Sequence, residues 1–384
     1  MDLVCLKNDL VFGVRLASHA LGARSSMPIL AGLKLEIAGD VVRLQATDLE
    51  RALRCEIPIV ENKGGDEAVV LNGTVLNQIA AHLPADERIS LTTDPESGTM
   101  VKLRCGEATF ELPTLPVEDY PEISPLPATK IATVQIKQFH KGLEQTAFSA
   151  FKVAETTRLS LTGVNLVLKD SQLRMVATNG YRLSLKTIAV DEIHEEGEYL
   201  IEASVLTDLD RVLALVTSDS VDIYRDDGQV FFHAGGVTFM ARTIAEEFPD
   251  FERVIPKDNP IGLVFDRRSI LETLQRTQIT AAEDSGAISI QANAEDSAVQ
   301  IKSSSNDKGV AEERVRLKQV PPTAIEIKFR AEYIIDALKR FASEDVTLWL
   351  SGSEKAGLIE PAGDAIAEAD QGFLYVCMPV RLPS

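Results

Sequence analysis

Histidines, cysteines and carboxylate–base pairs are where a chain of ordinary composition keeps its chemistry, and their spacing decides what they can do. Five histidines, His19, His82, His140, His194 and His233, are scattered, with none in an H-E-x-x-H or H-x-H arrangement, so no metal-binding helix face is written here. Four cysteines, Cys5, Cys55, Cys105 and Cys377, form no C-x-x-C and have no histidine at zinc-ligand spacing. They read as buried or incidental thiols of a protein in a reducing compartment. No G-x-S-x-G, G-x-x-x-x-G-K-[ST] or G-x-G-x-x-G occurs. The glycines of "NKGG" and "HAGG" read as turns. "ATDLER" (46–51) sets carboxylates beside an arginine, but it ends a hairpin that recurs twice more, which favours a structural role. No catalytic residue, metal or cofactor is expected, although a site assembled from distant residues would leave no local motif.

Composition narrows the class. The chain has 384 residues, 45% hydrophobic and 25% charged, as in a soluble globular protein of two to four domains. A net charge of -19 excludes wrapping nucleic acid, or coating an anionic membrane, with the whole exterior. Lys7, Asn8 and Asp9 interrupt the first apolar residues, so no signal-peptide core is read there. No apolar run reaches the roughly 18 residues of a membrane span. The expected location is the cytoplasm.

The elements that would position any site repeat three times. "GLKLEIAGDVVRLQATDLERAL" (32–53), "GVNLVLKDSQLRMVATNGYRLSL" (163–185) and "GAISIQANAEDSAVQIKSSSNDK" (286–308) each run from a glycine through an alternating apolar stretch, a polar turn and a second alternating stretch. Each closes on a hydroxyl–Asx element: Thr47-Asp48, Thr178-Asn179 and Ser305-Asn306. Period-two alternation around a turn predicts a hairpin. Helical patterns precede each hairpin, at 10–22, 139–150 and 268–279, and follow it, at 75–84, 205–216 and 333–343. Pro-rich polar stretches at 121–130 and 255–262 read as linkers. The fold class expected is α+β, with three repeated domains, 1–127, 128–258 and 259–384, each of two helices packed on antiparallel sheet.

Charge is distributed unevenly over this plan. Six helix windows (10–24, 74–84, 134–152, 205–216, 266–277 and 330–341) hold 12 Lys/Arg against 7 Asp/Glu, whereas the whole chain holds 39 against 58. Arg15, Arg24, Lys137, Lys141, Lys152, Arg267, Arg268 and Arg276 supply most of the excess. "DEIHEEGE" (191–198) concentrates acids instead. Basic helices on an acidic protein could hold a polyanion on one face without reading its sequence. Ordinary solvation of helix faces explains the same charges. No helix-turn-helix, zinc-finger or RNP pattern suggests sequence-specific readout.

Six ordered stretches, "SMPIL", "ATDLE", "LTGVNL", "ATNGYRLS", "EEFPDFERVIP" and "YVCMPVRL", resemble the signatures of the bacterial DNA sliding clamp family, the β subunit of the DNA polymerase III holoenzyme. The resemblance spans the chain and includes the threefold repeat. It implies the clamp fold: three clamp-type domains per protomer, assembled head-to-tail as a closed homodimeric ring. Such a ring slides on duplex DNA as a non-catalytic processivity factor, in the nucleoid-associated cytoplasm. The implied partners are DNA of any sequence, a second copy, the replicative polymerase subunit, the clamp loader, and other polymerases and repair proteins that dock by short peptides. A clamp-fold scaffold that binds such peptides without loading on DNA is the alternative.

The same resemblance implies sites. A partner-peptide pocket between the second and third domains is carried over onto Leu161, Thr178, Gly180, Tyr181, Arg182, Leu183, Pro249, Val254, Tyr333, Val376, Met378, Pro379, Val380 and Arg381. "YVC" would be the last strand, with "MPVRL" leaving the sheet at Pro379 to wall the pocket. DNA-facing candidates are Arg15, Arg24, Lys137, Lys141, Lys152, Arg158, Arg268 and Arg276. Phe110, Leu112 and Ile279 are carried over to the dimer interface. Basic residues found in some relatives are replaced here by Thr74, Glu107 and Thr109 near that interface and by Glu246 and Glu247 near the DNA. Pro383 and Ser384 extend past the leucine at which many relatives stop.

Overall fold

A computed structural model describes residues 1–22, 27–65, 67–84, 88–94, 98–190 and 192–380. The element order writes one sentence three times. The first copy runs β1 (Asp2–Leu6), α1 (Lys7–Ala17), β2 (Gly32–Ala38), β3 (Val41–Thr47), β4 (Arg51–Asn62), β5 (Ala68–Asn72), α2 (Gly73–His82), β6 (Arg88–Thr93), β7 (Met100–Cys105) and β8 (Ala108–Leu115). The second runs β9 (Lys130–Gln135), α3 (Ile136–Thr146), β10 (Gly163–Lys169), β11 (Gln172–Thr178), β12 (Arg182–Ala189), a short extra β13 (Glu192–Ile193), β14 (Gly197–Glu202), α4 (Ala203–Leu213), β15 (Ser220–Asp226), β16 (Gln229–Ala234) and β17 (Val237–Arg242). The third runs β18 (Ile261–Asp266), α5 (Arg267–Thr277), β19 (Ala287–Ala292), β20 (Ala298–Ser305), β21 (Gly309–Arg316), β22 (Ile325–Arg330), α6 (Ala331–Leu338), β23 (Asp345–Leu350), β24 (Gly357–Ala362) and β25 (Phe373–Cys377).

All three hairpins form where alternation places them. The six helices also form, but each starts one to three residues before its apolar pattern. Caps explain two of these starts: Asn72 Oδ1 accepts from the Val75 amide at 3.0 Å, and Asp266 Oδ1 accepts from the Ser269 amide at 2.7 Å. Helix α3 shows how the faces divide. Phe139, Gly142, Leu143, Gln145 and Thr146 are buried, while Lys137, Gln138 and His140 are exposed.

The chain divides into two compact units, with the middle copy shared between them: 1–136 with 191–195 and 205–243, and 137–190 with 196–204 and 244–384. The first unit holds a sheet in the order β1-β6-β7-β8-β5-β2-β3-β4-β17-β16-β15-β9-β13. The second holds a sheet β14-β10-β11-β12-β25-β24-β23-β18 and a smaller sheet β21-β20-β19-β22. One core of this unit gathers α5, α6 and the strands around them, with Leu263, Leu274, Phe329 and Tyr375 fully enclosed.

Strand pairing carries one copy into the next. β4 of the first copy pairs with β17 of the second, and β12 of the second pairs with β25 of the third. β4, β12 and β21 hold the same place in their copies, as do β8, β17 and β25. Among the described residues, β21 pairs with β20 alone, and the Ala108–Pro113 part of β8 pairs with β7 alone. Two strand edges thus lack the partner that their counterparts have.

The described acids of the 191–198 run, from 192 to 198, are engaged with other residues. Glu192 pairs with Lys130, Glu195 with Arg225, and Glu198 accepts from Asn165 Nδ2 at 2.6 Å. All four cysteines are buried, and burial pushes the thiols of Cys5, Cys55 and Cys377 up to about 12. Among the described residues no cluster of His, Cys, Asp and Glu could hold a metal, and no helix is long and apolar enough to cross a membrane.

Candidate functional site: an apolar peptide pocket

The hydroxyl–Asx element after β11 is a tight, fully bonded turn. Thr178 Oγ1 donates to the Arg182 carbonyl at 2.7 Å and accepts from the Gly180 amide at 3.0 Å. Asn179 Oδ1 accepts from the amides of Tyr181 and Arg182, both at 3.0 Å. Gly180 sits at φ 83°, a conformation that suits glycine. The turn throws Tyr181 outward, 60% exposed, and its carbonyl accepts from the Met378 amide at 2.8 Å. The end of β25 is thereby tied beside the turn, with Met378 40% exposed.

Between them lies a cavity of about 190 Å³. Leu161, Leu183 and Val376 form its buried floor, and Thr178, Gly180, Tyr181, Arg182, Pro249, Val254 and Met378 complete its walls. Ten of the carried-over residues therefore share one cavity. Three further residues line it that the sequence reading missed: Arg158, Asp250 and Phe251. Phe251 had a visible signal, the second aromatic of "FPDF". It lies edge-on to Phe248, and Arg174 covers its ring at 4.9 Å.

Three of the other carried-over pocket residues, Tyr333, Pro379 and Val380, lie outside this cavity. Arg381 lies outside the described residues, as does Arg24. Val380 is not part of the cavity: its amide donates to the Lys328 carbonyl at 2.8 Å, which draws it into a separate groove beside Ile261 and Ser351. Pro379 and Tyr333 do not line the cavity either. Tyr333 supports it from behind, with its ring 4.7 Å from the Arg182 guanidinium carbon and its carbonyl accepting from the Tyr375 hydroxyl at 2.8 Å.

Arg182 lines the pocket but spends its guanidinium inward. Nη1 donates to Asp336 Oδ2 at 2.8 Å, Nη2 donates to the Phe148 carbonyl at 2.6 Å, and Phe148 lies under the cation at 5.4 Å. Replacing it with alanine is expected to lower folding stability by about 2–4 kcal/mol, because the Asp336 carboxylate and a carbonyl lose their donor. Urea denaturation checks this, and unchanged stability would assign Arg182 to ligand contact alone. Glu246 is a prop as well. Its carboxylate accepts from the Ser160 amide at 2.8 Å, a bond that holds its pKa below the usual range and fixes the turn bearing Leu161.

The first copy builds the same turn with other side chains. Thr47 and Asp48 repeat each of those bonds, and Arg51 pairs with Asp208 on α4 as Arg182 pairs with Asp336 on α6. Arg242 donates its amide to the Glu50 carbonyl at 2.8 Å, the counterpart of Met378 and Tyr181. The Arg242 and Glu50 side chains face each other at 4.0 Å. A charge pair thus stands at one junction where the other presents two exposed apolar side chains. The second junction offers an apolar surface to a ligand at the place where the first carries this charge pair.

The remaining candidates divide by partner. Arg15, Lys137, Lys152 and Arg268 are exposed. Lys141 is only half exposed and bonded to Glu144 at 2.9 Å, and Arg276 grips Glu313 with a forked pair. Arg158, carried over as DNA-facing, lines the Tyr181–Met378 cavity. Of the interface candidates, Ile279 is 68% exposed and Phe110 is half-buried. Leu112 is buried within its own chain, opposite Val101 in the β7–β8 ladder, and has little surface left to give.

Comparison with known proteins agrees with this architecture. Sequence models of the DNA polymerase III beta subunit match in chain order: the N-terminal domain over 1–124, the central domain over 133–250 and the C-terminal domain over 252–381. The chain belongs to the DNA polymerase III beta subunit family. The beta sliding clamp of Synechococcus elongatus is 25% identical over 387 residues, covering all of both chains. That of Staphylococcus aureus is 26% identical over 351 residues, covering 90% of this chain and 91% of the relative. The crystal structure of the Thermotoga maritima beta subunit matches over the full length of both chains with a TM-score of 0.89 at 26% identity. The clamp fold, three clamp-type domains of helices on antiparallel sheet, is thus common to this chain and its relatives.

Proposed function

We propose that the chain is a DNA polymerase processivity clamp: a head-to-tail homodimeric ring that encircles duplex DNA, slides on it, and holds the replicative polymerase and other partners by short peptides in the Tyr181–Met378 pocket. The observation that carries the reading is the pair of unpartnered edges on β21 and β8. Within the chain, the β4 position of one copy pairs with the β8 position of the next, twice. A third such pairing needs β8 of another molecule, which makes the contact heterologous and able to close. The exposed Ile279 and Val310, 68% and 74% accessible, lie on the same copy as the β21 edge.

The exposed bases Arg15, Lys137, Lys152 and Arg268 would attract phosphate weakly and without regard to sequence, while a net charge of -19 repels DNA from the rest of the surface. That suits sliding better than gripping. The chemistry would then belong to the polymerase, with this chain as its non-catalytic accessory subunit. The test is topological. Loaded onto nicked circular DNA, the protein should co-elute with the circle and be lost when the circle is linearised. Peptide binding with no retention on circles would favour the scaffold reading instead.

A further inference from the structure

A second cavity of about 550 Å³ lies away from the peptide pocket. Its walls are α3 on one side, and β12 with the 367–371 segment on the other. Lys137, His140, Lys141 and Lys186 all line it, against a single carboxylate, Glu368. Such a concentration of bases is conspicuous in a chain with 58 acidic and 39 basic residues. Lys186 is the unusual member. It sits in the middle of a sheet, is 4% exposed, and donates to the carbonyls of Ala369 and Gln371, both at 2.7 Å. An ammonium has three donors, so these bonds leave one for the cavity it lines. The nearby Asp370 carboxylate is already taken by the Ala342 and Ser343 amides and Gln145 Nε2. Burial pulls the Lys186 ammonium down to about 8, as expected of a cation short of counter-charge.

We propose that this cavity seats a phosphate group, with Lys186 as the buried donor at its base and the exposed Lys137 closing over the anion, while Lys141, bonded to Glu144, only flanks it. Ile188, Ala189 and Ala367 give the cavity an apolar side as well. It could therefore take either a small organic phosphate or a backbone phosphate of DNA. The recognition chemistry is the same, a multiply charged oxyanion meeting lysine donors at reduced dielectric. The inference rests on the cavity itself, so the inorganic phosphate arm below stands whether or not the DNA reading does.

The experiment uses the intact dimer. Inorganic phosphate is titrated calorimetrically into the wild type, Lys186→Met and Lys137→Gln, with sulfate as a second oxyanion. Lys137 is exposed, so its variant tests the site even if Lys186→Met folds poorly. Binding to the wild type that weakens about tenfold or more in the variants, as loss of a charged hydrogen bond implies, supports the seat. In parallel, the salt dependence of binding to nicked circular DNA is measured for Lys137→Gln. A slope reduced by about one assigns the seat to a DNA phosphate, and an unchanged slope with impaired phosphate binding assigns it to a free phosphate compound. Phosphate binding that is absent or equal in all three proteins, with an unchanged slope, overturns the proposal.

Discussion

Replacing Ile279 with aspartate is expected to turn the ring into monomers without unfolding it. The side chain is 68% exposed in the isolated chain, so folding stability should change by no more than about 0.5 kcal/mol. In a dimer the same position would be buried against the first copy of the partner, and aspartate would bring an unpaired carboxylate into that contact. A penalty of about 3 kcal/mol per interface is reasonable for a buried charge without a partner. A two-membered head-to-tail ring contains the interface twice, so the loss doubles to about 6 kcal/mol, or roughly four orders of magnitude in the dimer constant. Sedimentation velocity at micromolar concentration should show the monomer, and retention on circular DNA should vanish with it. A variant that sediments as a dimer would remove Ile279 from the interface and weaken the case for pairing β21 with β8. The chain lacks at this seam what secures its two internal junctions. Arg51 and Arg182 each reach an aspartate on a second-copy or third-copy helix, whereas Gly309 opens β21 and Gln78 holds the matching place on α2.

Met378→Asp should abolish partner docking while leaving the ring closed. Met378 is 40% exposed at the pocket, and its amide is already satisfied by the Tyr181 carbonyl, so the substitution changes the surface rather than the backbone. A ligand would lose the apolar contact of methionine, about 1–2 kcal/mol, and would have to strip water from a carboxylate facing Leu161, Leu183 and Val376. Together these come to at least about 3 kcal/mol, or over a hundredfold in affinity. Calorimetric titration of a polymerase-derived peptide into the intact dimer measures it. Affinity within a few-fold of the wild type would mean that partners dock elsewhere. Methionine suits a site serving several partners, because an unbranched side chain repacks readily around different ligands. The counterpart at the other junction is a charge pair, Arg242 facing Glu50, in place of the exposed Met378 and Tyr181.

Local patterning carried much of this into view. Alternation located all three hairpins, helical periodicity located all six helices, and the repeat exposed the order of elements, because each depends on neighbours a few residues apart. The ends of the helices depended on caps such as Asn72 and Asp266, which lie outside the apolar pattern. The turn at 178–182 was legible for the same reason: Thr178 and Asn179 bond to their own backbone within four residues.

What depended on distant partners was not legible. Arg182 reads in the sequence as a pocket residue, yet its charge is spent on Asp336, 154 positions away. Val380 reads as a continuation of the pocket wall, yet one hydrogen bond to Lys328 takes it into another groove. Lys141 and Arg276 count as free bases along the chain, and only folding supplies Glu144 and Glu313 as their neighbours in space. The sequence by itself determined the repeat, the element types and the residues able to make an apolar pocket, all set by short-range periodicity and backbone preference. The tertiary structure decided which side chains gather around the Tyr181–Met378 cavity, which bases meet a carboxylate, and which strand edges among the described residues are left to find a partner. Those outcomes turn on pairings between residues tens to hundreds of positions apart, which no local pattern encodes.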